Sequence, residues 1–130
     1  MNGRIIRSSI VAVALVLAGS AWAQAQAPIV KIGFTFVAGG KTLNAGNYSV
    51  DIASNGNVVM TPEQGGPAVE IPRMKEISRR TVKRAQLVFD VVGSARFLSE
   101  VWLPEKGGVL VDRRSDAEDR ETVNGPKAGN

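Results

Sequence analysis

The 130-residue chain contains no histidine and no cysteine. Without them it cannot form the Ser-His and Cys-His pairs of nucleophilic catalysis, the usual zinc ligand sets, or a disulfide. Carboxylates, lysines and hydroxyls are the groups left for acid–base chemistry. The sequence therefore predicts no metal or other cofactor, and an enzyme of this composition would have to work with carboxylates alone.

Long apolar runs are also lacking. The longest, residues 10–18, is well short of the roughly 20 residues that a membrane-spanning helix needs. Two arginines precede it, and small residues follow it as two competing A-x-A cleavage sites, after Ala23 and after Ala25. This order is typical of a cleaved secretory signal peptide, which we assign to residues 1–23. We expect the mature protein to be exported to the periplasm or the cell exterior, with no membrane-spanning segment.

Charge of one sign is in small excess. The net charge is +4, and it falls by two when Arg4 and Arg7 leave with the signal peptide. So small an excess indicates no class of partner by itself. Its distribution is more informative, because basic residues are concentrated in one stretch that has Glu76 as its only acid. They are Arg73, Lys75, Arg79, Arg80, Lys83 and Arg84.

This basic stretch has two interpretations. It could form a surface that binds an envelope protein or an anionic surface polymer. Nucleic acid is not the expected partner, because no aromatic residue interleaves the stretch for base stacking. Alternatively, it is a solvated connection or an edge strand whose charges prevent sheet-to-sheet association.

From residue 28 onward, short segments with alternating apolar residues are separated by turn signals. Such a period of two is typical of half-buried strands. Asn55-Gly56 predicts a hairpin with a type I′ turn, and Gly93-Ser94 predicts a second compact hairpin. Residues 28–112 are therefore predicted to be an all-β domain: a small antiparallel β-sandwich or partly open barrel of six to eight short strands.

The residues after this domain differ in composition. Residues 113–130 are largely polar and charged, and Val123 is their only apolar residue larger than alanine. A segment that buries so little apolar surface has little to offset the entropy of ordering it. We predict a flexible charged tail.

Aromatic residues make up 5% of the chain, and Tyr48 is the only tyrosine. It follows a turn signal at residues 44–47 and starts an alternating segment. We expect its ring to cover the end of the core while its hydroxyl reaches water or a loop carbonyl. A ligand-stacking role is less favoured, because one aromatic ring makes a poor platform.

Four motifs occur in order along the chain: F-x-F at residues 34–36, G-K-T-L-x-A-G-x-Y-x-V at 40–50, L-V-F at 87–89 and F-L-S-E-V-W at 97–102. Together they resemble a family of small, uncharacterised secreted bacterial proteins. The A-G-x-Y-x-V element also resembles a turn-to-strand corner of prealbumin-like β-sandwich modules, with Asn44 where such corners usually carry proline. The resemblance implies an exported β-domain and no particular activity.

Glu100 is the candidate buried carboxylate. If Gly93-Ser94 is a two-residue turn, Leu87 faces Glu100, which then lies on an apolar face while Asp90 lies on the opposite one. A carboxylate on an apolar face must be paired or protonated. It is either a structural group that meets an arginine or backbone amides or faces solvent beyond the sheet edge, or a general acid paired with Asp90 or Glu70. The predicted register argues against the pair with Asp90.

The sequence thus favours a non-enzymatic, exported interaction or accessory β-module of the cell envelope. The alternatives are a carboxylate-only hydrolase centred on Glu100 and a soluble binder of a small ligand or glycan.

Overall fold

The computed structural model describes residues 27–77 and 80–127, in which eleven strands and no helix are formed. The strands are β1 (Ile29–Ile32), β2 (Phe36–Ala38), β3 (Lys41–Leu43), β4 (Gly46–Ile52), β5 (Val58–Pro62), β6 (Val69–Ile71), β7 (Lys75–Ile77), β8 (Gln86–Val92), β9 (Ala95–Leu103), β10 (Gly107–Leu110) and β11 (Asp119–Asn124). This part of the chain contains no helix that is long and apolar enough to cross a membrane. The predicted signal peptide lies outside the described residues.

The strands form two sheets. The smaller has the order β1-β4-β5-β6, and the larger has the order β11-β8-β9-β10-β7. The β2–β3 hairpin joins the larger sheet through a parallel contact between Val37 and Phe97, whereas the other pairings are antiparallel. The prediction of a small all-β domain is therefore confirmed.

The core contains the inward-facing apolar residues of both sheets, as the period-two alternation predicts. Phe36 lies at its centre, with ring centroids 5.5 Å from those of both Tyr48 and Phe89 in edge-to-face contacts. The Tyr48 hydroxyl donates a 2.6 Å hydrogen bond to the carbonyl of Asn44. The ring of Tyr48 is thus part of the core, and its hydroxyl reaches a loop carbonyl as expected; burial raises the pKa of the phenol.

The C-terminal segment corrects the sequence-based prediction. Residues 119–124 are β11, which pairs antiparallel with β8 along its whole length, so the prediction of a flexible tail is wrong there. The apolar content of the sequence does not reveal this strand, because backbone hydrogen bonds to β8 and ion pairs hold it in the sheet. Two further strands without an alternating apolar signal, β3 and β7, were also not predicted, so the strand count exceeds six to eight.

Two local predictions are wrong because the backbone departs from the expected conformation. The alternation of apolar residues from 30 to 36 predicts a single strand, but a bend separates β1 from β2. The β4–β5 hairpin is confirmed, but its turn is not of type I′, since Gly56 has a φ of 90° while Asn55 does not have a positive φ. The amide of Gly56 instead donates to the carbonyl of Ala53, which closes a turn one residue earlier.

A β-bulge in β9 decides which residues face outward. The Gly93-Ser94 hairpin has the predicted register near its turn, where Val92 is opposite Ala95 and Phe89 is opposite Leu98. Beyond the shift at Val88/Phe89, Glu100 faces Val88 rather than Leu87. The extra residue is the fully buried Ser99, whose hydroxyl and carbonyl bond to the backbone of Asp112.

Candidate functional site

The outer face of the larger sheet carries a group of paired charges, which we call the arginine cluster: Asp90, Glu100, Arg113, Arg114 and Arg120. Asp90 is on β8 and is fully buried. Its Oδ2 accepts a 2.9 Å hydrogen bond from the backbone amide of Arg114. Its Oδ1 lies 3.2 Å from Nε of Arg120, an ion pair without hydrogen-bond geometry. Charge compensation, rather than a full set of hydrogen bonds, therefore holds this carboxylate.

Glu100 is compensated in the same way. Its side chain is 14% exposed. Oε1 accepts a 2.9 Å hydrogen bond from the indole of Trp102, and Oε2 accepts one of 3.1 Å from Arg113. Arg120 lies 3.5 Å from the same Oε2, so one guanidinium is shared by Asp90 and Glu100. This is the arrangement expected for a structural carboxylate that meets arginines.

The predicted separation of Glu100 from Asp90 is wrong. The bulge at Ser99 turns Glu100 to the outer face, where Asp90 also lies, so the two carboxylates share Arg120. Glu70, the other proposed partner, is on β6 of the smaller sheet and accepts a 2.8 Å hydrogen bond from Asn57. The sequence did not indicate a bulge, and without one the alternation rule assigns the wrong face.

The exposed side of the cluster is also internally paired. The guanidinium of Arg114 lies 4.2 Å from the ring centroid of Phe97, and its Nε is 3.2 Å from Asp116. The hydrogen bond from Arg114 lowers the pKa of Asp116, and the same bond raises the pKa of Arg114. The arginines of this region are thus directed at the protein's own acids and rings.

Beside the cluster, the segment that joins β7 to β8 crosses the same outer face. Val82 packs there with Val88 and Trp102, in a small apolar cluster separate from the main core. The Trp102 ring lies against Gly108, where an added Cβ would be 2.5 Å from ring carbons. The guanidinium of Arg80 covers Trp102, 4.2 Å from the ring centroid. Burial of Val82 fixes this segment and leaves its neighbouring polar residues at the surface.

Two adjoining clefts lie between this segment and the turn that joins β9 to β10. The larger, of about 440 Å³, is lined by Thr81, Val82, Lys83, Arg84, Pro104, Glu105 and Lys127. The smaller, of about 250 Å³, is lined by Arg80, Thr81, Glu105 and Gly107. Because they share Thr81 and Glu105, we treat them as one groove, the basic cleft. Lys127 reaches it because Gly125, just after β11, is hydrogen-bonded to Ala85.

The charges of the basic cleft differ from those of the arginine cluster. Lys83, Arg84, Lys127 and Glu105 make no side-chain hydrogen bond or ion pair with any residue in the described parts of the chain. Arg80 has a single long hydrogen bond, 3.4 Å to Gln86, besides its contact with Trp102. The cleft therefore presents cations whose donors are available to a ligand.

Glu105 has an unusual backbone. Its φ of 68° is the only positive value of a non-glycine residue in the described chain. The amide of Lys106 donates to the carbonyl of Leu103, and proline precedes Glu105, so the turn is of type II, in which this position favours glycine or asparagine. A left-handed L-residue is strained by roughly 1–2 kcal/mol. Lys106 of the same turn forms an ion pair with the smaller sheet: its ammonium lies 2.7 Å from Oδ1 of Asp51 on β4.

Five of the six predicted basic residues lie in the described parts of the chain, at three places. Arg80, Lys83 and Arg84 line the basic cleft, whereas Lys75 is on β7 at the edge of the larger sheet and Arg73 packs its side chain against Gly56. Lys75 thus fits the alternative of an edge strand with charged residues. Arg79 lies outside the described residues.

Sequence reasoning missed Glu105 and Lys127. A weak signal was present for Glu105, because the PEKG segment places glutamate at a turn position that favours glycine. Lys127 carried no local signal. It belongs to a segment that was expected to be flexible, and only the pairing of β11 with β8 brings it to the cleft.

Within residues 27–77 and 80–127, no three acidic side chains are grouped so that they could hold a metal ion. Comparison of the chain with protein-family models, curated proteins and solved structures finds no significant match.

Proposed function

We propose that this protein is a non-enzymatic, exported binding module of the cell envelope that holds an anionic surface polymer in its basic cleft. The observation that carries the proposal is that the lysines and arginines of the cleft make no ion pair with the described chain. The arginines of the neighbouring cluster, by contrast, are committed to Asp90, Glu100 and Asp116. Uncompensated cations in a concave site favour an anionic ligand.

The size of the cleft supports a polymer segment over a folded protein partner. A volume of about 440 Å³ is within the range of roughly 300–1,000 Å³ that is typical of small-ligand sites. A stable protein interface buries roughly 800 Å² on each partner and is flatter. One or two residues of a chain molecule would fill the cleft.

The described residues place no accessible ring at the cleft, which supports an anion other than nucleic acid. Trp102 is buried under Arg80, so this part of the chain offers a base no aromatic platform there. Export is inferred from the leader at residues 1–23, whose short apolar run and A-x-A sites favour secretion. An exported module with free cations would meet anionic polymers at the cell surface.

A carboxylate-only hydrolase centred on Glu100 is the second candidate, because Asp90 and Glu100 share one face and one guanidinium. Against it, donors from Trp102 and Arg113 already occupy both oxygens of Glu100. A hydrolase would release reducing ends from a polysaccharide and lose that activity in Glu100→Gln. The binding proposal expects no release from any polymer of the panel described next.

The test is calorimetric titration of the protein, expressed as the full chain and purified, with polygalacturonate, poly-L-glutamate and polyphosphate. We expect binding that weakens between about 10 mM and 150 mM salt, as the Debye length falls from roughly 30 Å to 8 Å. Lys83→Glu/Lys127→Glu should lose at least about tenfold in affinity. The matched control is Lys31→Glu/Lys41→Glu, which changes the net charge equally at exposed positions outside the cleft.

Two results would contradict the proposal. One is that the unsubstituted protein binds none of the three polymers at low salt. The other is that the cleft variant and the control variant lose the same affinity, which would show that net charge rather than the cleft governs binding.

A further inference from the structure

We infer that the basic cleft selects a polyhydroxylated anion, that is, an acidic polysaccharide, and that Glu105 is the residue that makes this selection. The inference rests on the proposed function and specifies its ligand. The cleft favours anions through its lysines and arginines, yet one of its lining residues, Glu105, is itself an anion.

The backbone conformation of Glu105 is the first observation that points to a role for its side chain. Its positive φ is a conformation that glycine or asparagine adopts at lower free energy. The turn itself does not need a carboxylate, because the backbone hydrogen bond from the amide of Lys106 to the carbonyl of Leu103 closes it. Strain of this kind is concentrated at functional sites, which makes the side chain of Glu105 a candidate for function.

The position of the Glu105 side chain also points to a role in binding. Glu105 lines both parts of the cleft and makes no hydrogen bond or ion pair with any described residue. It is therefore not there to neutralise Lys83 or Arg84 within the folded protein. Its oxygens are free acceptors on the wall opposite these cations.

A ligand of the cleft must interact favourably both with the cations of one wall and with the carboxylate of the other. A plain anion, such as a phosphate chain or a polycarboxylate without hydroxyls, gains from the cations and is repelled by Glu105. A uronate residue places its carboxylate on the cations and donates its ring hydroxyls to Glu105, with Thr81 beside them. A site that is built to accept hydroxyl donors discriminates against analogues that lack them.

The cleft also offers apolar contacts to a ligand. Pro104 and Val82 line the same part of the cleft as Lys83 and Lys127. Sugar rings have apolar C–H faces beside their hydroxyls, and a proline ring offers a rigid surface for such contact. Anionic groups, hydroxyl donors and an apolar face occur together in acidic polysaccharides.

The experiment compares two polycarboxylates that differ in hydroxyl groups: polygalacturonate and poly-L-glutamate, each titrated calorimetrically into the protein. We expect the protein to prefer polygalacturonate by about tenfold, the value of one good hydrogen bond to a charged group. Glu105→Asn, which suits the turn, should abolish the preference by weakening polygalacturonate binding. Binding of poly-L-glutamate should stay equal or strengthen, because a repelling charge is removed.

Two further variants keep the test independent of folding. Glu105→Gly relieves the same backbone strain and should give the same loss of preference as Glu105→Asn. Glu63→Asn, at an exposed position in the loop after β5, removes the same charge outside the cleft and should leave the preference unchanged.

The outcomes separate the two proposals. If both polymers bind the unsubstituted protein equally, or if Glu105→Asn strengthens both by the same factor, Glu105 only repels anions. The inference is then overturned while the anion-binding function stands. If neither these polymers nor polyphosphate binds, the proposed function fails, and this inference fails with it.

Discussion

Two charged regions on the same sheet differ in where their charges are directed. In the arginine cluster, buried Asp90 and nearly buried Glu100 are compensated by Arg113 and Arg120. In the basic cleft, the side chains of Lys83, Lys127 and Glu105 form no hydrogen bond or ion pair with any described residue. Because buried charges must be compensated and exposed charges need not be, the first region belongs to the fold and the second is available to a ligand.

Trp102 lies between the two regions and contacts both. Its indole donates to Glu100 of the arginine cluster, and its ring supports Arg80 at the edge of the basic cleft. Substitutions in the cluster should therefore change stability, substitutions in the cleft should change binding, and those at Trp102 contacts should change both.

The largest expected effect is at Asp90. Asp90→Ala removes the group that accepts from the amide of Arg114 and compensates Arg120, leaving a partly buried amide and a guanidinium without this partner. We expect a loss of about 2–4 kcal/mol in the free energy of unfolding, measured by urea denaturation. Asp116→Ala is the control, since its exposed ion pair should contribute about 0–1 kcal/mol. Equal losses in the two variants would refute the distinction.

The next effect is at the contact below Trp102. In Gly108→Ala the new Cβ would lie 2.5 Å from the indole ring, so the ring must move. We expect a loss of about 1–3 kcal/mol in unfolding free energy and a shift in tryptophan fluorescence. Gly33→Ala, where no atom lies within 4 Å, should keep or slightly increase stability. An unchanged fluorescence spectrum in Gly108→Ala would remove Trp102 as the link.

A third test uses Tyr48, a buried polar group that is satisfied without charge. Tyr48→Phe removes the hydrogen bond to Asn44 and should lower the unfolding free energy by about 1 kcal/mol near neutral pH. Burial raises the pKa of this phenol, so the folded protein keeps its proton at a pH where the unfolded chain, with a pKa near 10, loses it.

The pH dependence follows from that sign. The contribution of Tyr48 is fully present below about pH 10 and is lost as pH rises through the folded pKa. The stability difference between the unsubstituted protein and Tyr48→Phe should therefore shrink above about pH 10, as measured by urea denaturation between pH 8 and 11. Tyrosinate absorbance reports Tyr48 alone, because the chain has no other tyrosine. A constant difference across this range is the result that would count against the account.

The smallest effect on stability is expected in the cleft. Lys83→Glu/Lys127→Glu should change the unfolding free energy by no more than about 0.5 kcal/mol, because neither lysine is paired in the described chain. Denaturation midpoints of this variant and of Lys31→Glu/Lys41→Glu should coincide. A loss of more than about 1 kcal/mol in the cleft variant alone would show that the cleft cations support the fold.

The sequence predicted those parts of the structure in which apolar burial decides. The alternation in residues 47–52 identified β4, the turn signal at Gly93-Ser94 identified the hairpin of β8 and β9, and the position of Tyr48 at the core was correct. It did not predict β11, because that strand is held by its ladder with β8 and by polar contacts such as the pair of Arg96 with Glu121.

The candidate site was less predictable for a different reason. The functional groups of the cleft come from three separated places: the segment before β8, the turn after β9 and the residues after β11. One extra residue, Ser99, reversed the outward face of β9 and brought Glu100 to Asp90. Bulges and long-range juxtapositions leave no periodic signal in a single sequence.

The most direct test of the comparison is an NMR titration of the isotope-labelled protein with polygalacturonate oligomers, following every backbone amide. The account predicts that shifts are concentrated at residues 80–84, 104–107 and 125–127, with residues 113–120 of the arginine-rich segment unchanged. Shifts centred on Arg113, Arg114 and Arg120 instead would contradict it, because the ligand would then have displaced the internal acids from cations that we assign to the fold.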